Sequence, residues 1–345
     1  MDPAAPHEGR RLSFVCRGSL QDGLGHVTRT VSVARAARDR GAATQLVLVG
    51  DGAAEDLAGA LDEPVAGRVH DDADVVDLVG AWSPAVVAFD ATHLDDRAFA
   101  AVAEGRATAS LSPVFDHQHE VDRSYSRVTE AMPGGPAPPP ERRRWGLRWT
   151  VVPPHVRPVS EDDFVAGVHQ PTLSVGVSMG GADAPNRTLA VLEEIRHVDH
   201  PVLVWVMLGE GYSHSYEDLV RSLRRDHRHE IILARTTSSM WLVLRSCSLL
   251  ILAGGTTTYE AAYAGLPSLN LLDRPERHFL VAELEARGAL WSATGPDRAG
   301  AVQGLLDDVI VDRSRLLEAH RRGRDLIDGR GADRIAADLL DLGDR

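Results

Sequence analysis

The chain of 345 residues contains no lysine; all 37 of its basic side chains are arginines. That absence removes Schiff-base chemistry and the phosphate-gripping lysine of a P-loop. Any phosphate would have to be held by arginines, hydroxyls and backbone N–H groups. Cysteine is almost as scarce: Cys16 and Cys247 both lie inside apolar runs, so buried free thiols in a reducing cytoplasm are expected rather than a disulfide framework. No apolar run approaches the roughly 20 residues of a membrane helix, so no stable membrane insertion is expected. The opening stretch MDPAAPHEGRR has no apolar segment of the kind a secretory signal needs. A formal net charge of −13 argues against nucleic acid as a partner.

What is present is the composition of a soluble globular protein, 43% hydrophobic and 25% charged, at a length that suggests two domains. In the first half, LSFVCRG, TQLVLVG and AVVAFD read as buried strands and ATASLSPV as a weaker one. Helical patterns follow from about His26 to Arg40 and across AAEDLAGAL. Continuously apolar strands alternating with helices imply a parallel sheet covered on both faces. The proline run within Ala131–Trp149 interrupts this pattern and predicts a loop or linker, with Arg142–Arg144 as a solvated edge.

The alternation then restarts with TLSVGVSMGG, PVLVWVML, EIILA and SLLILAGG as strands, each followed by a helical stretch. The expected architecture is α/β, with two Rossmann-like βα domains at 1–150 and 151–330 and a closing helix at 331–345. Ligands of such sheets bind beyond the carboxyl ends of the strands, here in a cleft expected between the domains.

Three strand-end loops carry unusual residues. After the first strand, Gly23 and Gly25 precede His26 at a helix start, where glycines let a ligand approach the backbone and the imidazole could take a proton from an attacking hydroxyl. An ordinary loop histidine fits the same pattern. SMGGADAPNRT places Gly180 and Gly181 before a helix near Asn186, which is either an anion cradle or a tight βα turn. AGGTTTYEAAYAGLP places Gly254 and Gly255 before Thr256 and Thr257, a turn whose N–H groups suit a diphosphate. Glu260 falls on the same side as Thr256 and could accept the hydroxyls of a ribose, but Thr257-x-x-Glu260 is also a capping-box spacing. His117 with His119, and His227 with His229, lack the further ligands of a metal site and read as solvated loop histidines. HDDAD at His70–Asp74 reads as a helix start rather than a metal site.

In order and spacing over most of the chain, these loops resemble the small GT-B nucleotide-sugar enzymes. The nearest patterns are those of the pseudaminic acid pathway UDP-sugar hydrolase and the peptidoglycan-precursor N-acetylglucosaminyltransferase, and the cytosylglucuronate synthases share the outline. The residues that carry the likeness are Gly23 to His26 with Arg29, then Ser178 to Asn186, then Ala253 to Pro267. The resemblance implies that Ser178, Gly180, Gly181 and Gly254 to Thr257 surround the diphosphate of a UDP-sugar. It further implies Glu260 at the ribose, Met240 near the uracil and His26 as the catalytic base, with Asp183 and Asn186 matching the hydrolase branch. Where the relatives carry a glutamine-containing stretch near the donor sugar, this chain has Arg277 and His278, and an arginine there can pair with a carboxylated sugar such as a glucuronate.

The expected activity is transfer of a sugar from a UDP-sugar donor to a small-molecule acceptor, with no metal and no cofactor beyond the donor. Hydrolysis, with water as acceptor, shares every motif. An NAD-dependent oxidoreductase, suggested by Gly23-x-Gly25 with Asp51, and a non-catalytic nucleotide-sugar binder are the remaining alternatives.

Overall fold

A computed structural model describes residues 9–19, 24–60, 65–225, 227–235 and 240–343. The chain forms two compact units, Met1–Pro153 together with Gly329–Arg345, and Pro154–Asp328.

The first unit begins β1 (Arg11–Gly18), α1 (Gly25–Arg38), β2 (Ala43–Gly50), α2 (Gly52–Ala60), β3 (Val65–Val69) and α3 (Asp72–Trp82). It continues with β4 (Val86–Asp90), α4 (Asp96–Ala103), β5 (Ala107–Ser110), β6 (Arg123–Ser126) and β7 (Arg143–Trp145). The seven strands pair in parallel in the order β3-β2-β1-β4-β5-β6-β7. Because side chains alternate across a strand, each central strand feeds two cores. Phe14 and Cys16 of β1 join α1 in one, while Val15 joins α3 and α4 in the other. Each fully buried aliphatic or aromatic side chain contributes about 1.5–3 kcal/mol, which is why both faces must be covered. The acidic stretch at His70–Asp74 starts a helix: Asp71 caps α3 by accepting from Ala73 N at 3.0 Å.

The proline-rich segment is not merely a linker, since it contributes the edge strand β7. Arginines stitch it down through backbone carbonyls, Arg142 to Glu120 and Val121 at 3.2 Å each and Arg143 to Pro138 at 2.7 Å.

The second unit runs α5 (Glu161–Val168), β8 (Leu173–Ser178), α6 (Arg187–Ile195), β9 (Val202–Leu208), α7 (Tyr216–Arg224), β10 (Glu230–Arg235) and α8 (Met240–Leu244). Then come β11 (Leu249–Leu252), α9 (Thr256–Ala264), β12 (Ser268–Leu272), α10 (Ala282–Ala286), β13 (Leu290–Thr294), α11 (Ala301–Val311) and α12 (Ser314–Gly323). Its six parallel strands take the order β10-β9-β8-β11-β12-β13. The last helix, α13 (Gly331–Leu342), belongs to the first unit, where Ile335, Ala336, Leu339 and Leu340 share a core with α1. Its Asp338 accepts from Tyr125 at 2.8 Å and pairs with Arg123 and Arg144.

In both sheets the strand order reverses beside the first strand, between β1 and β4 and again between β8 and β11. At such a switch point successive helices leave on opposite faces, so the loops part and backbone becomes accessible.

One expectation is corrected by packing. His117 is a buried residue, stacked on Phe99 with ring centroids 4.2 Å apart. Its Nδ1 faces Glu120 Oε1 at 2.8 Å and its Nε2 faces the Leu94 carbonyl at 2.8 Å. Only an imidazolium donates to both acceptors. Burial pushes its proton affinity down, but the hydrogen bonds to Glu120 and Leu94 and the charges of Asp116 and Glu120 raise it above the ordinary value of 6.5. A raised histidine stabilises the fold fully below its unfolded value and loses that contribution as pH rises through the folded one. The thermal midpoint of the wild type should therefore exceed that of Glu120→Gln most at pH 6, and the gap should narrow by about pH 9. A gap that does not change with pH would show that His117 is uncharged.

Candidate functional site

The first-unit site follows from helix periodicity. His26, Arg29 and Thr30 are spaced i, i+3, i+4 and so lie on one face of α1. That face meets Asp90, the last residue of β4, whose register partner across the switch point is Cys16 of β1. The carboxylate has no exposed surface. One oxygen, Oδ1, takes His26 Nδ1 at 2.5 Å and Arg29 Nη2, while Oδ2 takes Arg29 Nε at 2.8 Å and Thr30 Oγ1 at 3.1 Å.

Burial alone would raise the Asp90 carboxyl; the Arg29 charge, then that of His26 and the hydrogen bonds from both, hold it at about 2. A carboxylate only accepts, so His26 Nδ1 carries a proton and Nε2 of the neutral ring keeps its lone pair. Arg29 Nη2 also lies 3.1 Å from Nδ1, but a guanidinium only donates, so its bonds are those to Asp90. Beneath the cluster, burial and the Asp90 charge push the Cys16 thiol far above its ordinary range, which makes it inert. Burial likewise pushes Cys247 up to about 12.

In the second unit, Ser178 ends β8 opposite Leu252 of β11. The loop that follows is tied down by the start of α6 and by the loop after β9. Both Asp183 oxygens accept backbone N–H groups of α6, from Arg187 at 2.8 Å and Thr188 at 2.9 Å. Tyr212 donates to Asn186 Oδ1 at 3.0 Å and His214 to the Asp183 carbonyl at 2.8 Å. The start of α6 is therefore already capped by a carboxylate.

The start of α9 is different. Its N-cap is Gly255, which offers no side-chain acceptor to the first turn. Gly254 adopts φ +78°, and a Cβ there would lie 2.3 Å from Leu272 Cδ2, so any other residue would strain the turn and displace that leucine. A Cβ on Gly180, Gly181 or Gly255 would instead meet no neighbouring atom within 4 Å, so these three glycines face open space.

Glu260 lies one turn into α9. With Gly255 as N-cap the capping-box reading falls, because Glu260 is too far into the helix to serve that cap. Its Oε2 accepts from Trp241 Nε1 at 3.1 Å, in the helix that Met240 begins.

Arg277 and His278 lie in a 3₁₀ turn, Pro275–Leu280, after β12. His278 Nε2 is 2.7 Å from Glu285 Oε2, while half-exposed Arg277 lies 3.7 Å from Asp273. Gly25 heads α1, and Gly23 lies outside the described residues.

The structure thus places Ser178 at the end of β8 and Gly180–Asn186 just after it, Gly254–Glu260 after β11, and Arg277 and His278 after β12, at the carboxyl ends of three adjacent strands. His26 and Arg29 are in the first unit with Asp90. Sequence reasoning missed Asp90, Trp241 and Tyr212. Only Asp90 left a signal, a carboxylate closing an apolar strand, and its value depends on knowing that β4 lies beside β1.

No family model matches the chain. It is 25% identical over 182 residues to the spore coat polysaccharide biosynthesis protein SpsG of Bacillus subtilis, covering 48% of this chain and 49% of that protein. The chain spans about half the length of the curated relatives it matches. Among solved structures it superposes on MurG of Acinetobacter baumannii with a TM-score of 0.69 at 14% identity, over 96% of this chain and 99% of the other. A complex of Anabaena HepE with UDP-glucose gives a TM-score of 0.66 at 13% identity, over 96% and 99%. The fold is GT-B. Each GT-B unit presents its conspicuous residues at its own switch point, as side chains in the first and largely as backbone amides in the second.

Asp90→Ala would leave the Arg29 guanidinium buried without its counter-charge and should cost about 3–5 kcal/mol in urea unfolding. In the wild type, the depressed Asp90 contributes roughly 2–3 kcal/mol above pH 4, and that stability should drain away between about pH 4 and pH 2. A loss under about 1 kcal/mol in the variant would mean that Arg29 finds another partner.

Proposed function

We propose that the chain is a glycosyltransferase that moves a sugar from a UDP-sugar to a small-molecule acceptor, with His26 as general base. The observation that carries this reading is the 2.5 Å contact from His26 Nδ1 to buried Asp90, which reserves Nε2 as a proton acceptor. In the reaction, Nε2 takes the proton of the acceptor hydroxyl as its oxygen bonds to the anomeric carbon. The bond from that carbon to the diphosphate oxygen breaks, and its electron pair leaves with UDP. Asp90 balances the imidazolium, and Arg29 keeps Asp90 ionised.

UDP gains charge as it departs, and uncapped amides at the start of α9 suit that charge in a chain with no lysine. Ser178, Gly180, Gly181 and Gly254 to Thr257 would line the diphosphate. Glu260, oriented by Trp241, would bind the ribose, with Met240 beside the base. On this reading helix amides and arginines take the place of a divalent cation, so turnover should persist in EDTA.

Hydrolysis would use the same groups on water. The hydrolase-like Asp183 and Asn186 are engaged by the start of α6 and by Tyr212 of the loop after β9, which leaves nothing specific to favour water as acceptor.

His26→Ala should lower kcat by about 10²–10⁴-fold while UDP affinity, measured by calorimetry, stays unchanged. Unaltered turnover removes the imidazole from the chemistry. Rapid UDP release from a UDP-sugar without acceptor would assign hydrolysis instead.

A further inference from the structure

Arg187 opens α6, and the carboxylate nearest to it is already engaged. Asp183 gives both oxygens to the backbone N–H groups of Arg187 and Thr188. The Arg187 Nε stands 4.0 Å from Asp183 Oδ1, too far for a hydrogen bond, and is buried with no hydrogen-bond partner. The side chain is 11% exposed, and its Nη1 donates to the Leu271 carbonyl near the end of β12 at 3.0 Å.

Two more guanidiniums stand at neighbouring strand ends: Arg277 after β12, and Arg298 in the 3₁₀ turn Gly295–Arg298 after β13. Burial, together with the Arg298 and Arg277 charges, lowers the proton affinity of Arg187 more than Asp183 and Asp273 raise it. Asp273 itself lies beside Arg277. The geometry brings the three elements together: Arg187 reaches the Leu271 carbonyl of β12, and Leu271 and Leu272 pair with Ala293 and Thr294 of β13, so the turns that carry Arg277 and Arg298 leave adjacent strand ends.

An arginine with a buried, unsatisfied N–H carries a desolvation cost that an anion would offset. We propose that Arg187, Arg277 and Arg298 form an anion-binding cluster at the ends of β8, β12 and β13, receiving a phosphoryl or carboxylate group of the ligand. The guanidinium fork suits either, because both present paired oxygens. The cluster rests on the nucleotide-sugar reading for the identity of the ligand, but not for its charge.

Calorimetric titration of the full chain with inorganic pyrophosphate, UDP, UDP-glucose and UDP-glucuronate tests it, using wild type, Arg187→Met and Arg298→Met. Arg187→Met should weaken the affected probes roughly 10- to 100-fold and Arg298→Met roughly 3-fold or more. Losses shared by all four probes assign the cluster to phosphate, and losses confined to UDP-glucuronate assign it to a sugar carboxylate. Arginine-dependent binding of pyrophosphate by a chain that ignores UDP keeps the cluster and removes the uridine reading. Unchanged affinities in both variants, or no binding of any probe by the wild type, overturn it. Should Arg187→Met lose cooperative unfolding, Arg298→Met and half-exposed Arg277→Met decide the matter on the same titrations.

Discussion

A carboxylate with no solvent contact is tolerable only when its charge and lone pairs are met, and Asp90 is met from a single helix face. The arrangement fixes more than one charge. It sets the rotation of α1 against β4, selects the proton-bearing nitrogen of His26, and keeps Arg29 folded inward. Arg29 and His26 share one acceptor, so the imidazole does not have the carboxylate to itself. Position, tautomer and helix packing are consequences of the same bonds.

The two GT-B units repeat one topological device and fill it differently. A reversal of strand order opens each sheet beside its first strand. The first unit answers with side chains from α1 and β4. The second answers with backbone: a glycine-headed helix, and a loop braced by Tyr212 and His214. Of its two helix starts at this point, α6 is occupied by Asp183, so any anion is left to the amides of α9 and to arginine side chains.

Absence of lysine shapes the periphery as well. A guanidinium offers five donors, and here many of them go to backbone carbonyls: Arg142 and Arg143 fasten the proline-rich segment, and Arg313 fastens the end of α5. Arginines used in this way are structural despite their charge. Arg187 also donates to a carbonyl, that of Leu271, and in addition keeps a buried Nε without a hydrogen-bond partner.

Strong apolar periodicity made the main alternation of both units legible, including β1, β2, β8, β9 and β11, because buried parallel strands are written as continuous hydrophobic runs. Short or half-exposed strands such as β3 and β7 were not, since few of their side chains are buried. The glycine turns and His26 were visible for local reasons: positive φ, helix starts and a lone imidazole need no distant partner to be noticed. Asp90, the burial of His117, the bond from Trp241 to Glu260 and the return of α13 to the first core were decided by tertiary structure. Each depends on which strand lies beside which, or on a partner many residues away, and hydrophobic spacing along a chain carries no information about neighbours across a sheet.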